Sequence, residues 1–98
     1  MWLYRWKKLA YKITFKKSVS KDLKKMEKRG KSSEKVKEII KNLVNEESLN
    51  AKYKDHKLVG NFKGRRECHI EPDWLLIYKV ADSEIIFERT GTHSDLFE

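Results

Sequence analysis

The sequence has little of what builds a disulfide framework, a zinc knuckle or a membrane span. A single cysteine, Cys68, occurs among 98 residues, which excludes an intramolecular disulfide and the paired spacing of structural zinc sites. No apolar run approaches the ~20 residues that a membrane-spanning helix requires. The sequence also lacks an internal repeat, a low-complexity stretch and an interdomain linker. We therefore expect a soluble protein of a reducing cytoplasm, without a membrane partner.

Positive charge, in contrast, is abundant. Lys and Arg number 23 against 15 Asp and Glu, which gives a formal net charge of +8. An excess of this size favours a polyanionic partner, either nucleic acid or an acidic protein, although the same charge also serves solubility alone. The lysines on the outer faces of the predicted helices leave these two interpretations open.

The length sets the domain organisation, because 98 residues suffice for one modest core and not for two. Residues 1–10 contain Trp2, Leu3, Tyr4 and Trp6 between basic residues, and this segment is too short for a domain. We interpret residues 1–10 as an N-terminal extension and residues 11–98 as a single domain.

Hydrophobic periodicity predicts the elements of that domain. Alternation at Leu9, Tyr11, Ile13 and Phe15 indicates a first strand with one buried face, at about 9–15. A period near 3.6 then predicts two helices, at about 18–29 and 34–45, and Gly30 suits a left-handed end to the first. An irregular connection follows at 46–57, with His56 near its end. The remaining strands are predicted at 64–71, 74–80 and 84–90, with a short one possible at 58–61.

The connections between the later strands indicate how they pair. Pro72-Asp73 and residues 81–83 are too short to hold a crossover helix, so these strands form antiparallel hairpins. The predicted fold is α+β, with two N-terminal helices packed on one face of a small antiparallel sheet.

Strand alternation also predicts which polar side chains share a face. Glu67, His69 and Glu71 lie on the side opposite to Cys68 and Ile70. If the chain stays extended near its end, Arg89 and His93 share a side as well, and Gly91 between them leaves space beside the backbone for a ligand.

Imidazoles, a guanidinium and aromatic rings on one surface suit RNA, because Arg binds phosphate, rings stack on bases and His transfers protons near neutral pH. Each residue alone is weak support, since Arg89 could pair with a glutamate and Trp74 could cap the core. Cys68, His69, Asp73 and His93 are metal-ligand types, but their spacing and opposed faces predict no metal site.

The C-terminal half carries a more specific signal. The stretches "DHKL", "RECHIEPDWLLIY" and "RTGTHSDLF" closely resemble the YafQ branch of the RelE-like bacterial toxins, in the RelE/ParE superfamily. The resemblance covers about residues 11–97. It implies a RelE-like fold and a ribosome-dependent mRNA interferase of a type II toxin-antitoxin system. It also implies three partners, which are the ribosome, mRNA and a cognate antitoxin of the DinJ or RelB type.

The resemblance further implies site residues. The functional positions of the family fall on His56, His69, Asp73, Trp74, Arg89, His93 and Phe97. Arg89 would bind the scissile phosphate, His93 would contact a reacting oxygen, and Trp74 and Phe97 would bind substrate bases.

The chemistry needs no cofactor, because RNA supplies its own nucleophile. A base takes the proton of the 2′-hydroxyl, and an acid protonates the leaving 5′ oxygen. We predict His56 as base and His93 as acid. Asp73 is the rival base, and His69 either orients the substrate or shares the proton transfer.

Two other functions are compatible with the sequence. The chain could be a non-catalytic RNA- or ribosome-binding module whose basic helices bind phosphate and whose histidines are incidental. It could also be a DNA-binding regulator, although no segment resembles a recognition helix.

Overall fold

A computed structural model of the chain describes residues 12–44, 51–58, 64–81 and 84–97. The predicted extension, residues 1–10, lies outside the described residues. In chain order the elements are β1 (Lys12–Phe15), α1 (Lys17–Lys28), α2 (Ser33–Val44), a 3-10 turn (Ala51–Tyr53), β2 (His56–Lys57), β3 (Arg66–Glu71), β4 (Trp74–Ala81), β5 (Glu84–Gly91) and α3 (His93–Phe97).

The five strands form one sheet in the order β1-β5-β4-β3-β2. Strands β2 to β5 pair antiparallel, as their short connections predict. β1 departs from the expected antiparallel sheet, because it pairs parallel to β5. Two helices separate β1 from the other strands in the chain, so no tight turn fixes its direction. The α+β class with two N-terminal helices is confirmed, and the sheet is mixed.

The helical face of the sheet carries the main core. Val19 and Met26 of α1 and Val36 and Ile39 of α2 are buried, as the apolar stripes predict. They pack against alternate side chains of the central strands, namely Cys68, Ile70, Trp74, Leu76, Tyr78, Ile85 and Phe87. A second, smaller cluster of Leu75, Ile77 and Leu96 lies apart from this core.

The end of α1 follows its glycine. Gly30 has a φ of +85°, and the N–H of Lys31 donates to the carbonyl of Met26 over 3.0 Å. A left-handed residue just past the helix allows this bond, which satisfies a terminal carbonyl. The predicted left-handed end of the first helix is confirmed.

Among the helices of the described residues, none has the length and apolar character needed to cross a membrane.

In the part that the structure describes, the first strand lacks the buried face that its alternation predicts, and the predicted residues 9–11 lie outside that part. Ile13 and Phe15 remain 41% and 47% exposed, although the Phe15 ring stacks on Phe87 with centroids 5.2 Å apart. The reason is position, because β1 is an edge strand and α1 packs over its neighbour β5. A hydrophobic repeat identifies a strand without showing what covers it.

Two further predictions about the chain path need correction or lie outside the described residues. The short strand predicted at 58–61 falls mostly on residues 59–61, which are not described, whereas His56–Lys57 form β2. His56 therefore belongs to the sheet and not to an irregular connection. At the other end the chain does not stay extended through His93, because it turns after Gly91 into α3.

Candidate active site

Sheet register brings the polar side chains of three strands together. His56 of β2 pairs with Glu67 of β3, which lies opposite Ile77 of β4, and Ile77 lies opposite Arg89 of β5. Directly paired residues project to the same face of a sheet. One row across the sheet therefore contains His56, Glu67, Ile77 and Arg89 on the face opposite to the main core.

Arg89 reaches this row through an irregularity in β5. The register shifts so that Tyr78 pairs with Phe87 and the preceding Ile77 pairs with Arg89. An unpaired residue, Glu88, stands between the two partners on β5, as in a β-bulge. Without the shift Glu88 would lie opposite Ile77, so the bulge places a cation and not an anion in the row.

A neighbouring row completes the histidine set. His69 pairs with Leu75, and Leu75 pairs with Gly91, two residues before His93. The ring centroids of His56 and His69 are 6.2 Å apart, and those of His69 and His93 are 5.8 Å apart. The Phe97 ring lies 6.4 Å beyond His93. The structure thus brings His56, His69, His93 and Phe97 together as a series of adjacent rings, which we call the histidine row.

A buried carboxylate lies between two of these rings. Glu67 is 5% exposed, and its Oε2 lies 3.2 Å from His56 Nε2 and 3.4 Å from His69 Nε2. Our prediction placed Glu67 on the face of His69 without assigning it to the site. The sequence signal for Glu67 is a charged residue that alternates with a histidine on a strand. The sequence does not show that His56 lies beside Glu67.

The remaining ring nitrogens of these histidines meet carbonyl oxygens. His56 Nδ1 lies 2.6 Å from the carbonyl oxygen of Lys54, and His69 Nδ1 lies 3.3 Å from that of Pro72. A carbonyl oxygen can only accept, so each Nδ1 carries the proton and each Nε2 faces Glu67. Both rings are thereby oriented with Nε2 directed to the centre of the site.

Asp73 holds the third histidine. Its Oδ1 accepts hydrogen bonds from the backbone N–H of His93 over 3.0 Å and from His93 Nδ1 over 2.6 Å. These two bonds lower the pKa of Asp73 below its ordinary value. The carboxylate therefore stays ionised, and it fixes the tautomer that leaves His93 Nε2 available.

The turn into α3 explains how His93 joins the row. The N–H of Asp95 donates to Thr92 Oγ1, and the N–H of Thr92 donates to Asp95 Oδ2, over 3.1 and 2.9 Å. This reciprocal pair is a capping box at a helix start, and the Thr92-x-x-Asp95 spacing could have predicted it. The space predicted beside Gly91 for a ligand is filled instead, since a Cβ there would lie 2.9 Å from Asp95 Cβ.

Arg89 is held from the side of α1. Its Nε donates to Asp22 Oδ2 over 2.7 Å and its Nη2 lies 3.4 Å from Asp22 Oδ1, while the N–H of Thr90 donates to the same carboxylate over 3.1 Å. The bonds to Asp22 raise the pKa of Arg89 above its ordinary value. Its partner is therefore Asp22 and not Glu88 or Glu71, the two glutamates with which the sequence allowed it to pair.

Trp74 does not line the site. It is 1% exposed, it belongs to the main core, and its Nε1 donates to Thr90 Oγ1 over 2.9 Å. A ring enclosed in this way cannot stack on a base, so the predicted substrate-binding role of Trp74 is wrong. β4 begins at Trp74, and its alternation turns this side chain towards the helices.

An open cleft adjoins the histidine row. It has a volume of about 690 Å³, and it extends from His69 between the start of α2 and the 3-10 turn. Tyr53, Lys54, Ile70 and Pro72 are among the residues that line it. The cleft offers an aromatic ring and a cation next to the central histidine.

The arrangement also bears on metal binding. Cys68 is buried on the helical side, and burial is the main cause that raises the pKa of its thiol to about 12. The thiol and His69 point to opposite faces, as predicted. Within the described parts of the chain, no group of three or more His, Cys, Asp or Glu side chains is arranged to hold a metal ion.

The chain is similar to known proteins over the residues that hold the site. Residues 11–98 match a family described as bacterial toxin of type II toxin-antitoxin system, YafQ. The mRNA interferase toxin YafQ of Escherichia coli (strain K12) is 49% identical over 86 residues, which cover 87% of this chain and 94% of that protein.

Solved structures show the same likeness. A chain in the crystal structure of the E. coli DinJ-YafQ toxin-antitoxin complex superposes with a TM-score of 0.85 and 47% identity, over 91% of this chain and 99% of that one. A metal-bound toxin from Helicobacter pylori superposes with a TM-score of 0.83 and 39% identity, over 89% and 99% of the two chains. Each match leaves about a tenth of this chain uncovered.

Proposed function

The chain belongs to the YafQ family of bacterial toxins of type II toxin-antitoxin systems, and from this premise we propose that it is an mRNA interferase that cuts messenger RNA on the ribosome. The observation that carries the mechanism is the histidine row, with Glu67 between His56 and His69 and Asp73 bonded to His93. It lies on the face of the sheet that also carries Arg89. Acid, base and phosphate-binding groups are thus within one surface, as RNA cleavage by the 2′-hydroxyl requires.

His93 is the general acid of this mechanism. Its Nδ1 proton is held by Asp73, and a neighbouring carboxylate stabilises the imidazolium that an acid must be before it gives up its proton. Nε2 then donates to the leaving 5′ oxygen. We assign Asp73 to hold His93 and not to act as the base, because its Oδ1 accepts hydrogen bonds from both the backbone N–H and the Nδ1 of His93.

His56 is the general base. With its Nδ1 proton on the Lys54 carbonyl, the Nε2 lone pair accepts the 2′-hydroxyl proton. The imidazolium formed then donates from Nε2 to Glu67, 3.2 Å away. A buried carboxylate stabilises that charge more strongly than solvent-exposed groups do, because screening by water is weaker there.

The phosphate and a base occupy the surface between these groups. His69 lies between the outer rings and orients the phosphate. A guanidinium has five donors, and Asp22 accepts from only two nitrogens of Arg89, so the other donors bind phosphate oxygen. Phe97, 44% exposed, stacks on a base next to the cleavage site.

The mechanism uses no metal ion, because side chains supply the base, the acid and the cation. A metal-bound relative is known from Helicobacter pylori, so metal dependence has to be measured directly in this chain. A cognate antitoxin binds this toxin and holds it inactive, a proposal supported by the DinJ-YafQ toxin-antitoxin complex of E. coli. Because the ribosome is the place of action, the toxin acts in the cytoplasm.

Substitution of His93 tests the proposal. In His93→Gln the rate of mRNA cleavage on ribosomes, followed by primer extension, should fall about 10²-fold or more, as on losing a general acid. Ribosome binding should change less than about twofold. Lys41→Gln, an exposed change on α2, serves as control. If His93→Gln arrests translation as well as the unaltered protein does, the non-catalytic ribosome-binding module is the better description.

A further inference from the structure

The short terminal helix α3 carries two groups of the proposed site, His93 at its start and Phe97 at its end. It has five residues, and a helix of this length has negligible stability by itself. Its position must therefore be set by contacts with the rest of the domain. Leu96 packs against Leu75 and Ile77 in the second cluster, and the ion pairs of α3 concentrate on Asp95, to which the proposed mechanism assigns no proton transfer.

Asp95 is bound from two sides. Within its own turn it accepts the N–H of Thr92 over 2.9 Å. Arg29, the residue after α1, donates Nη1 to Oδ2 over 2.7 Å and Nη2 to Oδ1 over 3.2 Å, and Lys25 Nζ of α1 lies 3.4 Å from Oδ1. The hydrogen bond from Arg29 is the main cause that lowers the pKa of Asp95 far below its ordinary value. A two-point contact of this kind fixes orientation as well as distance.

The backbone of β5 is shaped to accept this contact. Gly91 lies against Asp95, where an added Cβ would be 2.9 Å from Asp95 Cβ and 3.0 Å from its Oδ2. Real Cβ atoms do not approach so closely. The glycine therefore lets α3 fold back onto β5 so that its carboxylate reaches α1.

The partner helix is itself firmly placed. Val19 and Met26 anchor α1 in the main core, and Asp22 binds the N–H of Thr90 at the edge of β5 over 3.1 Å. Arg29 follows directly after α1, where its Nη1 also contacts Met26 Sδ over 3.6 Å. A rigid element thus carries the guanidinium that holds Asp95.

We propose that Asp95 is a positioning residue for RNA cleavage. Through its bonds to Arg29 and Thr92, Asp95 holds α3 in place, so that His93 bonds to Asp73 and the Phe97 ring lies beside His93. This inference rests on the proposed function for its effect on rate. The contact between Arg29 and Asp95 lies at the surface, where ion pairs contribute little to stability. Its consequence should therefore appear in site geometry, to which catalysis is far more sensitive.

The experiment compares Asp95→Ala, which removes both contacts, with Arg29→Gln, which leaves the bond to Thr92. Cleavage of ribosome-bound mRNA should slow about tenfold or more in Asp95→Ala and by a smaller factor in Arg29→Gln, with KM within about twofold. Glu84→Gln, which removes a carboxylate at the far end of β5, should cleave at the unaltered rate.

A second readout uses the isolated protein and no RNA. The N–H groups of Thr92, His93 and Leu96 donate to Asp95, to Asp73 and to the Thr92 carbonyl, respectively. Amide hydrogen exchange at these three residues should accelerate about tenfold or more in Asp95→Ala. The pKa of Asp73, lowered by its bonds to His93, should move back towards its ordinary value. Exchange at buried sheet residues such as Leu76 should be unchanged, which separates local release of α3 from general destabilisation.

The two readouts distinguish a failure of the proposed function from a failure of the inference about Asp95. If the unaltered protein does not cut mRNA, the proposed function fails, while hydrogen exchange still decides whether Asp95 holds α3. Faster exchange with slower cleavage supports the inference. Unchanged exchange in Asp95→Ala overturns it, and so does faster exchange with full cleavage activity, because positioning would then have no catalytic consequence.

Discussion

Trp74 gives a sharp test of the difference between a substrate-binding and a core residue. Its indole is 1% exposed and donates to Thr90 Oγ1 over 2.9 Å, while Thr90 Oγ1 donates to the carbonyl of Leu75 over 2.6 Å. Trp74→Phe keeps an aromatic ring that could still stack on a base, but it removes this donor and part of the buried volume. A core role predicts lost stability with retained cleavage.

The size of the effect follows from the two losses. A buried neutral hydrogen bond contributes about 1 kcal/mol. The smaller ring removes roughly 40 Å² of buried apolar surface, which at about 25 cal/mol per Å² is again ~1 kcal/mol, and the cavity adds to this. We expect the free energy of unfolding to fall by about 2–3 kcal/mol. For a domain of this size the melting temperature should fall by roughly 10–20 °C.

Urea unfolding followed by circular dichroism measures the change, with Val80→Ala as control because Val80 is 49% exposed. The control should lose less than about 0.5 kcal/mol. Cleavage by Trp74→Phe, measured well below its melting temperature, should stay within about threefold of the unaltered rate. An unchanged stability together with strongly reduced cleavage would contradict the core assignment and restore the substrate role.

Two predictions concern surface charge. Lys31 and Lys35 bond to Glu71 over 2.6 and 2.7 Å and hold its pKa below the ordinary value of 4.5. The stability that the carboxylate contributes is therefore present above about pH 4.5 and is lost as the pH falls through the lowered pKa. Urea titrations of Glu71→Gln and the unaltered protein should differ at pH 7 and converge as the pH falls below the lowered pKa of Glu71, and equal stability at pH 7 would refute this. An exposed stripe along α1 consists of Lys17, Lys21, Lys24 and Lys28. Changing all four to Gln should flatten the slope of the logarithm of the ribosome-binding constant against the logarithm of the salt concentration, by roughly 0.7–0.9 for each phosphate that the stripe no longer neutralises. An equal loss of charge at Lys12, Lys37, Lys41 and Lys79 should change the slope less, and equal slopes would mean that the stripe is only solvated.

Much of the fold followed from periodicity and turn length. The helices begin and end within one residue of their predicted bounds where described, and Gly30 ends α1 in the predicted conformation. The expected RelE-like α+β fold is confirmed by the solved YafQ structures. The direction of β1 and the exposure of its apolar face were not predictable, because both depend on which element lies beside an edge strand.

The sequence predicted which residues form the candidate site better than it predicted how these residues are arranged. Resemblance supplied the three histidines, and the structure places them in one row. Alternation could not reveal that a bulge directs Arg89 to their face, because a one-residue register shift leaves no mark in a single sequence. Trp74 was misassigned because a tryptophan next to a turn is compatible with both core packing and base stacking.

The chemical ends of the cleaved message test the central claim most directly. Ribosome-bound mRNA is cut in excess EDTA, with the ribosomes kept intact by polyamines, and the fragments are analysed for their terminal phosphates. Attack by the 2′-hydroxyl under control of His56 and His93 predicts continued cleavage, a 2′,3′-cyclic phosphate and a 5′-hydroxyl. A 3′-hydroxyl with a 5′-phosphate would show attack by an activated water and would contradict the mechanism. Loss of cleavage that added metal restores would contradict its metal independence.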